Sequence, residues 1–251
     1  AAAALAPHAA RRVSRRTLVV GMAVGLVLTF GYLFQTAGLL FTTPTNSGLI
    51  TGLFVVFTPL ANLLFFRRRP SRLVLVAVVL SLLGMVLFAG GGPDGANRCD
   101  LLTMLCAAAL GLHIALLSRC AAGHDASGLA FVQMVSMALV FGLLWPLFES
   151  VAFPPREAWI SLVATALVAS AGAFWAQTFV QQRLPAARAA VILTTEPVFA
   201  ALFGYWLAGG RLVLLQIFGA ALILSALAAS EVVAPLFAGR KKHLLKGGTP
   251  Q

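Results

Sequence analysis

Long apolar runs alternate with short polar connections along this chain. A helix needs roughly 20 apolar residues to cross a bilayer. The runs predict eight such helices, at about 17–40, 46–66, 73–90, 100–118, 127–148, 158–180, 189–208 and 212–232. The connections carry helix breakers, as in "TTPTN", "RRRPSR" and "GGGPDGANR". None of them is long enough to separate soluble domains, so the pattern predicts one all-α membrane unit.

The composition agrees with a membrane protein. Of the 251 residues, 60% are hydrophobic and 10% are charged, with a mean hydropathy of +0.96. A soluble domain of ordinary composition has about 25% charged residues. Folded in water, this chain would expose far more apolar surface than such a domain does.

The basic residues indicate how the chain is oriented. Arg98, Arg156 and Arg211 fall on one side of the predicted spans. Cytoplasmic loops carry the excess of Lys and Arg, so the other, larger group marks the cytoplasmic side, with the C-terminus. The net charge of +11 then needs no nucleic-acid partner, and the expected location is the plasma membrane, the inner membrane of a bacterium. The larger group is Arg11, Arg12, Arg15, Arg16, Arg67, Arg68, Arg69, Arg72, Arg119, Arg183, Arg188, Arg240, Lys241, Lys242 and Lys246.

An internal repeat is visible in the order of polar residues. Gln35 recurs as Gln177 at an offset of 142 residues, Thr51 recurs as Thr194 at an offset of 143, and "VVLSLLG" resembles "LILSALA" further on. This offset corresponds to five helices, an odd number, so the two copies would enter the membrane in opposite orientations. Inverted repeats of this kind are common in secondary transporters.

Three segments together resemble a known family. "TTEPVFAALFGYWLAGGRL", "GYLFQTAGLLFTTPTNSGLITGLFVVFTPL" and "GLHIALLSR" are similar to the EamA-type branch of the drug/metabolite transporter superfamily. Members often have Gly-Glu-Arg-Leu where this chain has a second glycine, Gly210, before Arg211. The resemblance implies ten helices in two inverted five-helix repeats.

Mapped onto that fold, the runs of this chain would correspond to eight of the ten helices, without the first two. Residues 1–97 would hold the tail of helix 2 and helices 3–5, residues 98–235 helices 6–10, and residues 236–251 a basic cytoplasmic tail. The resemblance also implies alternating-access transport of a small organic metabolite or drug-like solute, as an exporter.

Glu196 and Pro197 are the most unusual residues inside an apolar run. Glu196 would lie about 10 Å deep, where an ionised carboxylate costs several kcal/mol unless it is paired or faces water. Pro197 lacks an amide hydrogen and predicts a helix kink. Two interpretations of Glu196 stay open: it faces a wet cavity beside Thr195, or it is a structural cap paired with another helix.

Amides and aromatic rings elsewhere in the spans suit an amphipathic organic solute. His113 and Glu196 are the candidates for proton coupling. Gln35 and Gln177 could instead form hydrogen bonds between the two repeats, and Asn62 could instead make a contact between helices. The remaining cavity candidates are Tyr32, Gln35, Asn62, Gln133, Trp175 and Gln177.

Two GxxxG patterns, Gly21 with Gly25 and Gly48 with Gly52, predict close helix packing. The chain shows no HExxH or GxSxG motif, so we expect no enzyme, no cofactor and no metal. The expected partners are the bilayer, a small organic solute and a proton, while a homodimer stays open. The alternative to a carrier is a truncated or non-transporting membrane protein with a structural or channel-like role.

Overall fold

The computed structural model describes residues 13–41, 44–88, 100–148, 154–196, 198–199, 202–203, 206 and 213–229. Within these ranges every regular element is a helix. The helices are α1 Arg15–Leu39, α2 Pro44–Thr51, α3 Phe54–Phe66, α4 Arg72–Phe88, α5 Asp100–Cys120, α6 Ala126–Phe148, α7 Ala158–Gln181, α8 Ala186–Leu193 and α9 Leu214–Ala228.

Several of these helices are apolar enough to lie in a membrane. Among the described residues, four are also long enough to cross one. Helices α3, α4 and α9 are apolar but shorter. The chain is therefore an all-α, multi-pass membrane protein, while the count of eight spans and the inverted repeat stay predictions. The four long apolar stretches are Arg15–Leu39, Leu101–Cys120, Ala126–Leu147 and Ala158–Gln181.

The predicted helix at 46–66 is interrupted. Helix α2 ends at Thr51 and α3 begins at Phe54, with Gly52 and Leu53 in a turn between them. The Val55 amide bonds the Gly52 carbonyl at 3.1 Å, three residues back instead of four. The helix breaks at Gly52 because glycine is a poor helix former.

The predicted helix at 189–208 is interrupted as well. Helix α8 ends before a turn at Thr194 and Thr195, and Glu196 is helical again. The Thr194 hydroxyl donates to the Val191 carbonyl at 2.6 Å, and the Thr195 hydroxyl donates to the Ile192 carbonyl at 2.7 Å. Such side-chain bonds compete with the amide ladder of a helix. The predicted kink residue, Pro197, lies outside the described residues.

The two GxxxG predictions have different outcomes. A Cβ atom on Gly21 would lie 2.7 Å from the Val132 Cβ, and one on Gly25 would lie 2.9 Å from the Gln133 Cα. Helices α1 and α6 therefore pack through these glycines, as predicted. A Cβ on Gly48 would meet no described atom within 4 Å, so the packing role predicted for Gly48 has no partner among the described residues.

One end of the bundle carries the described arginines of the larger group. The Thr17 hydroxyl and His124 Nδ1 lie 2.8 Å apart, and Gln182 Nε2 donates to the His124 carbonyl at 2.8 Å. These bonds join the start of α1, the α5–α6 turn and the α7–α8 turn. The α3–α4 turn meets them around a shared pocket. We call this end, formed by residues 13–17, 67–72, 118–125 and 182–188, the basic end.

Candidate functional site

A central cavity of about 490 Å³ lies between α1, α3, α5, α7 and the interruption that follows α8. Its wall is mostly apolar, with five polar side chains from four parts of the chain. The lining residues are Leu28, Tyr32, Phe54, Leu110, His113, Ile114, Ala169, Ala173, Phe174, Gln177, Ile192, Leu193, Thr195 and Glu196.

The structure brings five predicted site residues together at this cavity: Tyr32, His113, Gln177, Thr195 and Glu196. Glu196 is exposed and lines the same cavity as Tyr32. Tyr32 and Glu196 are 164 positions apart in the sequence, so the cavity brings together polar groups that are distant along the chain.

Irregular backbone borders the cavity on two sides. Phe54 is the first residue of α3 after one interruption, while Thr195 and Glu196 belong to the other. On a third side Ala169 lies in a π-helical stretch of α7, Thr165–Gly172. Non-helical backbone is tolerated at membrane depth where it lines a cavity, and π-helical turns are frequent at functional sites.

A buried hydrogen-bond network joins α5, α6 and α7 beside the cavity. His113 Nε2 lies 3.0 Å from Gln133 Oε1. Gln133 Nε2 donates to the Thr178 hydroxyl and to the Leu129 carbonyl, both at 3.3 Å. The Thr178 hydroxyl in turn donates to the Phe174 carbonyl at 2.7 Å.

This network determines which ring nitrogen of His113 carries a hydrogen. The Gln133 amide nitrogen faces two acceptors, so its oxygen must face the histidine. That oxygen has only lone pairs, and His113 Nε2 must donate to it. In the neutral ring, Nδ1 is then left with its lone pair, on a residue that lines the cavity.

Four predicted site residues lie outside the cavity lining. Gln133 is fully buried behind His113. Trp175 is 40% exposed, and its Nε1 donates to the Ser127 hydroxyl at 3.1 Å. It lies two positions before Gln177, about 200° around the helix, and so faces away.

The other two lie beyond the ends of the cavity. Asn62 lies eight positions beyond Phe54, about 12 Å along α3, and lines a pocket at the basic end instead. Gln35 lies nearly one turn beyond Tyr32 on α1 and does not line the cavity. Neither residue is among the described residues of the cavity wall, and their predicted roles in binding a solute stay predictions.

Apolar lining residues are absent from the predicted set. Leu28, Phe54 and Ala169 form part of the wall, but an apolar residue within an apolar span carries no sequence signal of what it faces. Among the described residues, no three His, Cys, Asp or Glu side chains gather where a metal ion could bind.

Together these features define a multi-pass helical membrane protein with a solute-sized, partly polar central cavity. The EamA-like transporter family matches residues 1–90 and 97–230, which is most of the chain. The protein belongs to this family.

Individual relatives agree with that assignment. An uncharacterized transporter of Archaeoglobus fulgidus is 33% identical over 207 residues, which is 82% of this chain and 66% of the relative. The aligned part therefore spans just under two thirds of the relative's length. A protein of known crystal structure has a TM-score of 0.73 at 20% identity, covering 88% of this chain and 87% of that one. At that identity the likeness shows the fold alone.

Proposed function

We propose that this protein is a secondary transporter that moves a small organic solute by alternating access. The observation that carries the proposal is the central cavity, whose wall includes both interrupted helices. Its volume of about 490 Å³ lies within the range of roughly 300–1,000 Å³ that is typical of small-molecule sites.

The lining indicates the chemistry of the solute. Tyr32, His113, Gln177 and Thr195 offer neutral hydrogen-bonding groups, and Glu196 is the only acidic residue among the described lining residues. The rest of the wall is aliphatic or aromatic. Such a site suits an amphipathic organic molecule with hydrogen-bonding groups, either neutral or with one cationic group opposite Glu196.

The positions of the two interruptions support an inverted repeat. The repeat match pairs Thr51 with Thr194, and the breaks come directly after Thr51 and at Thr194 itself. Corresponding broken helices in two halves are the expected frame of a transporter site near the bilayer midplane. The two halves would rock about this cavity.

Charge and family resemblance support a proposed orientation of the protein in the membrane and a proposed direction of transport. The arginines of the basic end favour a cytoplasmic position for that end, in the plasma membrane. Family resemblance favours export. A solute biases such a cycle only if it binds the inward-facing and outward-facing states differently.

His113 and Glu196 are the groups through which protons would couple to transport. A proton added to His113 Nδ1 leaves the Nε2 bond to Gln133 intact. The ring can therefore change its charge without breaking the network that holds it. Glu196, which lines the same cavity, would alternate between binding a proton and facing a cationic solute.

The test is uptake into proteoliposomes containing the purified protein. Radiolabelled amino acids, nucleosides and amphipathic cations would be compared for wild type, Glu196→Gln and Glu157→Gln. Glu157 is an exposed acid next to the start of α7, outside the cavity lining, and serves as the matched control. We expect saturable uptake of at least one class, reduced in Glu196→Gln and unchanged in Glu157→Gln.

Other outcomes would contradict parts of the proposal. Flux that never saturates would indicate a channel-like role. Absence of flux for all three classes, in protein shown to be folded, would contradict transport of such solutes. Equal uptake by Glu196→Gln and wild type would make that carboxylate a structural cap.

A further inference from the structure

A second pocket, of about 230 Å³, lies at the basic end and is separate from the central cavity. Three arginines from three different elements converge on it: Arg68 from the α3–α4 turn, Arg119 from the end of α5 and Arg183 from the α7–α8 turn. No described residue that lines it is acidic. The other lining residues are Asn62, Ala115, Ser118, Gln182, Leu184, Pro185 and Ala186.

Membrane orientation does not account for this convergence. The charge rule needs arginines on one side of the bilayer, but it does not need them around one pocket. Cations brought close together repel one another. An anion between them would remove that repulsion, and the planar guanidinium of arginine matches the oxygens of a phosphate group.

Two further features fit an anion at this place. The guanidinium of Arg183 lies 5.1 Å from the centre of the Phe179 ring, a cation–π contact that restrains it. Helix α8 begins at the pocket with Ala186, and the preceding Pro185 makes no side-chain cap. The first amides of a helix need acceptors, and an anion can supply them.

An apolar groove of about 260 Å³ adjoins the pocket through the shared residue Leu184. It runs between α7 and α8, where Val180 is 47% exposed. The rest of the protein covers little of the apolar surface of α7, so the groove opens toward the lipid. The remaining lining residues are Ala173, Ala176, Gln177, Gln181, Ala189, Ile192 and Leu193.

Gln181 supplies an unused donor beside the groove. The residue is 2% exposed, and its Nε2 is buried without a hydrogen-bond partner among the described residues. An unpaired buried amide of this kind costs about 1–3 kcal/mol. Gln181 lines the groove, and its Oε1 accepts from the hydroxyl of Ser118, which lines the basic pocket, at 3.5 Å. The amide therefore lies at the junction of the two.

We infer that the pocket and groove together bind one anionic phospholipid. Its phosphate would lie among Arg68, Arg119 and Arg183, a glycerol-ester carbonyl would accept from Gln181 Nε2, and an acyl chain would follow the groove. Basic pockets between membrane helices on the cytoplasmic side are suited to acidic headgroups. A free phosphate would satisfy the arginines but would leave the groove empty.

The lipid would also touch the wall of the central cavity. Ala173, Gln177, Ile192 and Leu193 line both the groove and the cavity. An acyl chain in the groove would pack against the side of these residues that faces the groove. Binding of the lipid does not depend on whether the protein transports anything, so the two proposals can fail separately.

The experiment is native mass spectrometry of the purified protein with phosphatidylglycerol or phosphatidylcholine of identical acyl chains. We expect wild type to bind phosphatidylglycerol more tightly than phosphatidylcholine. Arg119→Gln should weaken phosphatidylglycerol binding about tenfold, the loss of one charged hydrogen bond. Arg72→Gln is the matched control, because Arg72 is exposed at the same end but does not line the pocket.

Two additional arms separate a lipid from a free phosphate. Val180→Trp, which fills the groove, should weaken lipid binding, and inorganic phosphate at millimolar concentration should not displace the lipid. If phosphate displaces it and Val180→Trp has no effect, the pocket binds a free phosphate group and the lipid proposal is wrong. Equal losses in Arg119→Gln and Arg72→Gln would reduce the effect to general surface charge and overturn the site. Arg68→Gln repeats the test at a second arginine of the pocket and should also weaken phosphatidylglycerol binding.

Discussion

A close contact between the backbones of α4 and α9 makes a sharp prediction for Gly219. Helices α4 and α9 meet where a Cβ added to Gly219 would lie 2.5 Å from the Phe88 amide nitrogen and 2.6 Å from the Gly84 carbonyl oxygen. Both are backbone atoms, so no side chain can rotate to make room. Ordinary contact begins at 3.4 Å, so Gly219→Ala requires the helices to separate by about 1 Å.

The expected magnitude combines two opposing effects. Overpacking a close contact costs about 1–3 kcal/mol. Replacing a helical glycine by alanine returns up to about 1 kcal/mol of helix propensity. We therefore expect Gly219→Ala to destabilise the protein by about 1–2 kcal/mol.

Gly142 provides the matched control, since it lies inside α6 and a Cβ there would meet no described atom within 4 Å. Gly142→Ala should be neutral or stabilising by up to about 1 kcal/mol. The assay is the apparent unfolding temperature of both variants in the same detergent. If Gly219→Ala unfolds at or above the temperature of Gly142→Ala, the close approach of α4 and α9 is not as described.

Two further predictions concern histidines. His113→Leu leaves Gln133 Oε1 buried without its donor and should cost about 1–3 kcal/mol, whereas His113→Gln keeps a donor and should unfold near wild type. Both should weaken the pH dependence of uptake between pH 5 and 8, because only Glu196 would remain to couple protons. An unchanged profile in His113→Gln would remove that histidine from coupling. In the α5–α6 turn, burial and then the nearby Arg16 charge lower the pKa of His124 below its ordinary value, so the unfolded chain takes up this proton first. The contribution of His124 to stability is complete above about pH 6.5 and falls as the pH drops below that value. The unfolding temperature of His124→Asn should therefore depend less on pH than that of wild type. An equal dependence would contradict the lowered pKa of His124.

Several features were predictable from sequence because they depend on local chemistry. Apolar run length predicted the long helices, and the GxxxG spacing of Gly21 and Gly25 predicted a close helix contact, which the structure confirms between α1 and α6. Gly48 carries the same spacing but packs on no described atom. A short motif states that a close approach is feasible, and only the partner helix decides whether it occurs.

The candidate site also contains residues whose positions matched the prediction from sequence and residues whose positions did not. Glu196 and His113 stood out because polar groups are costly in an apolar span, and both line the cavity. Trp175 was a candidate because an aromatic ring beside the Gln177 amide suits an amphipathic solute, yet it faces away and bonds Ser127. The direction of a side chain depends on the rotation and depth of its helix, which adjacency in sequence does not report.

By itself, the sequence determined that this is an all-helical membrane protein, and its motifs identified the family. Hydrophobicity, charge and helix breakers act through solvation and backbone geometry over a few residues, so they can be read along the chain. The tertiary structure alone decided that two helices break beside one cavity, that Gln133 sets the tautomer of His113, and that Arg68, Arg119 and Arg183 share a pocket. Each of these depends on contacts between residues far apart in sequence, and those contacts exist only once the helices have packed.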